Sequence, residues 1–206
     1  KNIANNPNGY YYLTSDIDMS GAEWKAIPEF NGILDGNGHT ISNITYASNE
    51  SLIYCNNGTI LNLHINQFYS TASMANVGGI VYENNGLIQS CSANVDITSS
   101  CAWLGLIAVR NNTNGKIIAC KSTGTVKFNG TAIGFSGTPT IAGGITSSNE
   151  GIIKQCYSNV DFEIRSYVRQ SSHVSGICGA FNTTNTHAII EECYFSGSIY
   201  LKRYEG

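Results

Sequence analysis

The hydrophobic and polar positions of this chain follow a long internal repeat. The most regular copies are residues 78–97 (GGIVYENNGLIQSCSANVDI) and 142–162 (AGGITSSNEGIIKQCYSNVDF). Looser copies cover residues 104–126 and 175–199, and a degenerate copy begins at Ser51. Repeats of this length indicate stacked units, because one unit is too small to bury its own apolar face. The pattern therefore predicts a solenoid.

Each repeat is predicted to contain a strand, a bend and a second strand. Because side chains alternate faces along a strand, Cys156, Val160 and Phe162 should face inward. Asp161 and Glu163 lie one step out of phase and should face outward. An isoleucine precedes each cysteine position by three residues, and two inward residues at an odd spacing need a corner between them. Coils of this kind, closed by Asn- and Gly-rich turns, form an all-β parallel β-helix with internal ladders.

The predicted structural ladder has a cysteine column and an isoleucine column. The chain has seven cysteines, so complete pairing within it is impossible. We expect buried free thiols rather than disulfides between coils, because stacked side chains point in parallel directions and suit a bridge poorly. Neither the cysteines nor the histidines have the spacing of a zinc site, so we predict no metal and no cofactor. The ladder residues are Cys91, Cys120, Cys156, Cys193, Ile88, Ile117, Ile153 and Ile190.

Composition limits the class of protein further. The 206 residues have a net charge of −3 and only 12% charged residues, which argues against nucleic-acid binding. No apolar run is long enough to cross a bilayer. We expect one domain over residues 1–206, with an N-terminal cap and first coils in 1–50 and repeated coils in 51–206. Because the chain starts at Lys1 without a visible signal peptide, we expect it to be part of a longer polypeptide.

The repeats are unequal, with spacings of 29, 36 and 37 residues between successive ladder cysteines. The additional residues fall in segments 66–77, 98–103, 127–141 and 163–174, which share a phase and should emerge along one side of the coil. Insertions in repeat proteins often form the binding face, and aromatic and arginine residues are favoured contacts. Phe128 and Phe135 are expected to pack back on the coil. The predicted ligand-binding residues are Phe68, Tyr69, Trp103, Arg165, Tyr167 and Arg169.

The chain also resembles a known family. The opening contains Tyr12-Leu13-Thr14-Ser15-Asp16-Ile17-Asp18, Phe30-Asn31-Gly32 and Asp35-Gly36-Asn37-Gly38-His39-Thr40-Ile41. Together with the later units, each with a Gly-hydrophobic start, an Asn-x-Gly turn and then Ile and Cys, it is similar to GLUG-type repeat proteins. That resemblance implies a right-handed parallel β-helix outside the cell, in large secreted or wall-attached bacterial proteins. These include zinc-type immunoglobulin A metallopeptidases, in which the repeats are not the catalytic part.

Three functions remain open at this point. The first is a non-catalytic, monomeric extracellular module that binds a host or microbial protein or glycan, as an adhesin or stalk segment. The second is a structural spacer of a secreted protease. The third is a glycan-active β-helix enzyme, which would need clustered carboxylates. Asp16 and Asp18 both point outward and could hold calcium, but a plain surface pair is the preferred interpretation.

Overall fold

The computed structural model of the chain describes residues 3–46, 51–70, 76–99, 103–128, 140–166, 173–181 and 187–203. These residues form a parallel β-helix, since their strands pair in parallel with the corresponding strands of the next coil. A 3₁₀ turn at Ile3–Asn5 precedes the strands. No helix in this part of the chain is long and apolar enough to cross a bilayer.

The strands belong to four sheets that run along the helix axis. Sheet I contains β10 (Asn76–Gly78), β14 (Trp103–Gly105), β18 (Ile141–Gly143) and β22 (His173–Ser175). Sheet II contains β4 (Ile27–Phe30), β7 (Ile53–Asn56), β11 (Val81–Asn84), β15 (Ala108–Asn111), β19 (Thr146–Asn149) and β23 (Cys178–Phe181). Sheet III contains β1 (Tyr10–Tyr12), β5 (Ile33–Asp35), β8 (Thr59–Leu61), β12 (Leu87–Gln89), β16 (Lys116–Ile118), β20 (Ile152–Lys154) and β24 (Ile189–Glu191). Sheet IV contains β2 (Ile17–Asp18), β3 (Glu23–Trp24), β6 (Thr40–Tyr46), β9 (His64–Ser70), β13 (Ser92–Ser99), β17 (Lys121–Phe128), β21 (Tyr157–Ser166), β25 (Tyr194–Phe195) and β26 (Ile199–Arg203).

A full coil passes through sheets I, II, III and IV in that order. The first such coil in the described residues starts at β10 and continues through β11, β12 and β13 before β14 begins the next one. The coils before β10 differ from this pattern, because they contribute no strand to sheet I among the described residues. There Ile3, Tyr11, Leu13, Met19 and Trp24 pack against the core while remaining partly exposed.

The isoleucine column runs through sheet III. Ile88 pairs in register with Ile60 on one side and Ile117 on the other, and the column continues through Ile153 to Ile190. The first four are fully buried, whereas Ile190 in the last described coil is 38% exposed. In-register stacking therefore gives each isoleucine the next one as its packing partner.

The cysteine column follows the corner between sheets III and IV. Cys91, Cys120 and Cys156 are buried, and Cys193 is half-buried because it belongs to the last described coil. Each thiol donates a hydrogen bond to the carbonyl oxygen two residues earlier, at sulfur–oxygen distances of 3.2–3.4 Å. The six cysteines in the described residues are free, and Cys101 lies outside those residues.

The predicted corner between each isoleucine and cysteine is present. The residue immediately before each cysteine adopts a left-handed backbone conformation, with φ between 53° and 55° at Ser90, Gln155 and Glu192 and of 52° at Ala119. None of these four is glycine, so each corner has a conformation that L-residues disfavour by roughly 1 kcal/mol. Stacking of the flanking strands holds the backbone there.

A column of buried asparagines, not foreseen from the sequence, lines the end of sheet II. The Asn56 side-chain amide donates to Asn84 Oδ1 at 2.8 Å, Asn84 donates to Asn111 at 2.8 Å, and Asn111 donates to Asn149 at 2.7 Å. Each amide also donates to backbone carbonyls at the adjoining turn, as Asn111 does to Gly115 and Ile152. The buried side-chain amides thus provide one another's hydrogen-bond donors and acceptors across coils.

The turn after this column needs glycine for a steric reason. A Cβ on Gly86 would collide with the carbonyl oxygen of Gly58 in the preceding coil. The same collision would occur between Gly58 and Gly32, and between Gly151 and Gly115. The repeated Asn-x-Gly signal therefore reports close backbone stacking as well as a turn.

Two expectations about the inserted segments need correction. Phe68 and Phe128 lie within β9 and β17, and both side chains are fully buried. Phe128 was expected to pack on the coil, and it does so. Phe68 was predicted to bind ligand, and the burial of the Phe68 side chain makes that prediction wrong. Strand alternation explains Phe128, which lies two residues after the inward Val126. Segments 66–77, 98–103, 127–141 and 163–174 also contain parts of sheets I and IV rather than loops alone.

We predict that Asn111→Ala lowers the free energy of unfolding by about 2–4 kcal/mol, because it leaves buried partners in two neighbouring coils without their hydrogen bonds. Asn94 provides a matched control, since its amide donates to Asn66 at 3.1 Å on the exposed face of sheet IV. Asn94→Ala should cost less than about 0.5 kcal/mol. Urea unfolding of both variants measures the difference, and equal losses would contradict a special role for the buried column.

We also predict that Ala119→Gly stabilises the protein by about 0.5–1 kcal/mol, because glycine adopts the left-handed conformation without a steric penalty. Ala119 is exposed, so the change removes little packing. Ala93 lies buried in β13 without a positive φ, and Ala93→Gly should destabilise instead. Thermal melts of the two variants should therefore shift in opposite directions.

Candidate functional site

The strongest candidate site lies on the outer surface where sheets I and II meet. It consists of Trp103 from β14, Arg110 from β15, Glu83 from β11, Tyr54 from β7 and Tyr82 from β11, and is called the Trp103–Arg110 cluster below. Its residues come from three successive coils. Parallel stacking brings them together, because each coil places its sheet II strand beside the previous one.

Arg110 is the central residue of the cluster. Its guanidinium carbon lies 4.8 Å from the centroid of the Trp103 ring, which is a cation–π arrangement. Its Nη1 lies 3.6 Å from Glu83 Oε1, an ion pair that is longer than a good hydrogen bond. The Arg110 side chain is 40% exposed, yet its Nε is buried without a hydrogen-bond partner among the described residues. Nε is therefore out of reach of a ligand, and only the Nη groups of the guanidinium can make an outside contact.

Two stacked tyrosines extend the cluster toward the N-terminal coils. The rings of Tyr54 and Tyr82 are 4.7 Å apart and 7° from parallel. Tyr82 is buried and its hydroxyl accepts a hydrogen bond from Asn76 at 3.1 Å, whereas Tyr54 is 41% exposed. The pair thus has a fixed inner ring and an accessible outer ring. Burial is the main cause that raises the pKa of the Tyr54 hydroxyl above its ordinary value.

A second aromatic group lies on the outer face of sheet IV. Lys121 Nζ lies 5.6 Å from the ring centroid of Tyr157, and the Tyr157 and Tyr194 rings stack at 5.8 Å. This group has a lysine in place of the arginine and no tryptophan. Because Trp, Tyr and Arg are the residues most enriched at binding hot spots, we rank the Trp103–Arg110 cluster above it.

The predicted ligand-binding residues do not form a single site in the described part of the chain. Trp103 belongs to the cluster. Tyr69 is 44% exposed near the end of β9 and belongs to sheet IV, whereas the cluster belongs to sheets I and II. Arg165 occupies β21 of sheet IV. Tyr167 and Arg169, like Phe135, lie outside the described residues, so their part in a site stays a prediction.

Two cysteines, Cys120 of the cysteine column and Cys178 of β23, are poor nucleophiles. Burial raises the pKa of the Cys120 thiol well above its ordinary value, and burial also raises the pKa of Cys178 to about 12. Since the thiolate is the nucleophilic form, these two groups stay protonated and unreactive at neutral pH. Their role is packing.

The acidic residues of the N-terminal coils connect neighbouring coils. Asp16 Oδ1 accepts a hydrogen bond from the Thr40 backbone N–H at 2.9 Å, and this bond lowers the pKa of the carboxyl. Asp18 Oδ1 accepts bonds from the Ser20 hydroxyl and from Asn43, which lower its pKa. The described residues contain no group of three or more potential metal ligands. Asp16 and Asp18 are both exposed, and each carboxylate accepts a hydrogen bond from the next coil.

Sequence reasoning missed Arg110, Glu83, Tyr54 and Tyr82. Arg110 shares its register position with Cys55, Glu83, Ser148 and Ala180 in the other coils, so no repeat signal marks it. Tyr54 and Tyr82 are adjacent only because β7 and β11 pair in register. A residue-by-residue alignment of the repeats in register could have brought these side chains together before a structure was available.

Comparison with known proteins supports the fold. No protein-family profile matches the chain, and no curated protein matches it. Among solved structures, the chain is similar to the crystal structure of a "putative immunoglobulin A1 protease" from Bacteroides ovatus. The two share 19% sequence identity with a TM-score of 0.51, over 95% of this chain and 71% of that one. At this identity the likeness shows a shared fold only.

We predict that Arg110→Gln increases quenching of tryptophan fluorescence by acrylamide, because the guanidinium no longer covers the Trp103 ring. The variant should lose less than about 1 kcal/mol of stability, as expected for a partly exposed cation–π pair. Lys121→Gln removes the corresponding cation beside Tyr157 and should leave the quenching unchanged. Equal quenching in wild type and Arg110→Gln would contradict the stacked geometry.

Proposed function

We propose that this chain is a non-catalytic module of a secreted or surface bacterial protein, and that it binds a host or microbial protein or glycan through its lateral surface. The observation that supports this most directly is the Trp103–Arg110 cluster. It combines a tryptophan, a partly exposed arginine and an accessible tyrosine on one outer surface. Residues of these types supply most of the binding energy at protein interfaces.

The use of the carboxylates supports a binding role over a catalytic one. Asp161 Oδ1 accepts hydrogen bonds from the Ser198 hydroxyl at 2.7 Å and from its backbone N–H at 2.9 Å. Glu191 forms a 2.9 Å ion pair with Lys154, and Glu83 is paired with Arg110. Glycoside hydrolysis needs two carboxylates that act on the substrate. The acidic groups named here instead bind neighbouring side chains or the next coil.

The similarity to the Bacteroides ovatus protein supports an extracellular context. That protein is described as a protease, and only the fold is shared at this level of identity. The GLUG-like motifs of the sequence favour the same kind of parent protein. Attachment to a larger secreted protein, and the absence of catalysis in this module, are parts of the proposal.

A spacer role is a second candidate, because one specific observation favours it. The asparagine column extends without interruption from Asn56 to Asn149, through amide bonds of 2.7–2.8 Å. Such a hydrogen-bonded column stiffens the coils along the axis, as a rod that separates two domains would require. The two roles are compatible, since a stiff rod can also present a binding surface.

Binding by the intact chain tests the proposal. The immobilised protein is exposed to a glycan array and to purified host surface proteins, and bound material is then analysed by mass. We expect retention of at least one ligand without a change in its mass. Trp103→Ala should weaken that retention about tenfold or more, as loss of a hot-spot residue does, with little change in melting temperature.

The control variant is Tyr157→Ala, which removes an aromatic ring from the group on sheet IV. It should leave retention unchanged. A ligand of altered mass would contradict the non-catalytic role, whereas full retention by Trp103→Ala would exclude the Trp103–Arg110 cluster as the binding surface. No retention of any probe by the folded wild type would leave the spacer as the better function.

A further inference from the structure

We propose that the surface beside Arg110, toward the C-terminal coils, binds a carboxylate-bearing pyranose sugar. This surface, called the Arg110 shelf, contains two neighbouring columns of outward residues. Arg110, Ser148 and Ala180 form one column, and Trp103, Ile141 and His173 form the other. The proposal names a ligand class for the binding module proposed above and rests on that function.

The shape of the shelf follows from the register of sheet II. Arg110 pairs with Ser148, and Ser148 pairs with Ala180, so two small residues follow the arginine. Successive strands are about 4.8 Å apart, which makes the column roughly 10 Å long. Because the serine and alanine side chains are short, they leave a shallow depression beside the guanidinium. Its length suits one or two sugar rings.

The electrostatics of Arg110 differ between its two sides. On the N-terminal side its column contains the acidic Glu83, which approaches Nη1 to 3.6 Å. On the C-terminal side the column has no acidic residue among the described coils, because Ser148 and Ala180 occupy it. An anion can therefore reach the guanidinium from that side without repulsion. Nε is buried and out of reach of a ligand, so the two Nη groups would make the contact. Nη1 lies 3.6 Å from Glu83, longer than a good hydrogen bond, and a planar guanidinium binds a carboxylate with two parallel hydrogen bonds.

The neighbouring column supplies the contacts that a sugar ring needs in addition to its carboxylate. Ile141 is half-buried and offers apolar surface to the C–H face of a pyranose. Trp103 stacks on the guanidinium and holds Arg110 beside that surface. The Ser148 hydroxyl and the exposed His173 ring offer hydrogen bonds to ring hydroxyls. One guanidinium fits one carboxylate, whereas a highly charged polyanion would need a cluster of basic residues that a chain of net charge −3 does not favour.

Two probes distinguish the sources of such a sugar. Trigalacturonate represents the uronic acids and 3′-sialyllactose represents the sialic acids, with galactotriose and lactose as their neutral counterparts. Titration of the folded chain should show at least one acidic probe binding about tenfold or more tightly than its neutral counterpart, as a charge-assisted bidentate contact predicts. The affinity should fall as salt rises, because the shelf is open to solvent.

Three variants link that binding to the shelf. Arg110→Gln should lower the affinity by about tenfold or more, since it removes the charged guanidinium. Ser148→Leu should lower the affinity similarly, because the larger side chain fills the depression beside Arg110 while the Arg110–Glu83 ion pair is kept. Lys121→Gln, on sheet IV, is the matched control and should bind as wild type does. Melting temperatures establish that each variant is folded, and Ser148→Leu keeps the test valid if Arg110→Gln does not fold.

Each outcome has a definite meaning. Preference for trigalacturonate or for 3′-sialyllactose supports the proposal and identifies the source of the sugar. Equal binding of acidic and neutral probes, unchanged affinity in both shelf variants, or no binding of either acidic probe at millimolar concentration would overturn it. If the acidic sugars fail but another ligand is still lost in Trp103→Ala, the proposed binding function stands and only the ligand class is wrong.

Discussion

The register between coils is the constraint on which the rest of this structure depends, and the buried asparagine column enforces it. An asparagine side chain in the interior needs partners for its donors and its acceptor. In Asn84 and Asn111 these partners are the same amide one coil away and the carbonyls of the adjoining turn. If one coil shifted by one residue relative to the next, the buried amide groups would lose their hydrogen-bond partners, which would cost folding free energy. Phe30 and Phe181 occupy the equivalent positions in the flanking coils, so the column ends at Asn56 and Asn149.

The interior ladders could be predicted from the sequence, whereas the asparagine column could not. Isoleucine and cysteine recur at a fixed spacing, and an inward position accepts few residue types. The repeat pattern alone therefore predicts that Ile88 and Cys91 are buried. Asn84 lies two residues before Gly86, and such residues are ordinarily turn formers. Nothing in that signal separates an exposed turn asparagine from a buried one. Sheet I was missed because its strands have only three residues, and three of its four described strands contain glycine, which has low strand propensity.

The candidate site was only partly predictable for a related reason. Trp103 was recognised because a large aromatic residue beside a variable segment is conspicuous. Arg110 was not, since the outer position that it occupies holds a different residue type in each coil. Phe68 was assigned to the surface because segment lengths, rather than strand alternation, were used to place it. Side chains that meet across coils are separated by about one repeat length in the chain, so their contacts follow only once the register is known.

The contrast between inner and outer columns explains how one scaffold can carry a specific surface. The interior repeats because each buried side chain must match its neighbours above and below. The exterior has no such requirement, and the column through Arg110 changes from a thiol at Cys55 to a carboxylate at Glu83, then to a guanidinium, a hydroxyl at Ser148 and a methyl at Ala180. Each change occurs over one strand spacing of about 4.8 Å. A surface whose side chains change at that spacing can match individual groups of a ligand, while the core that supports it stays the same.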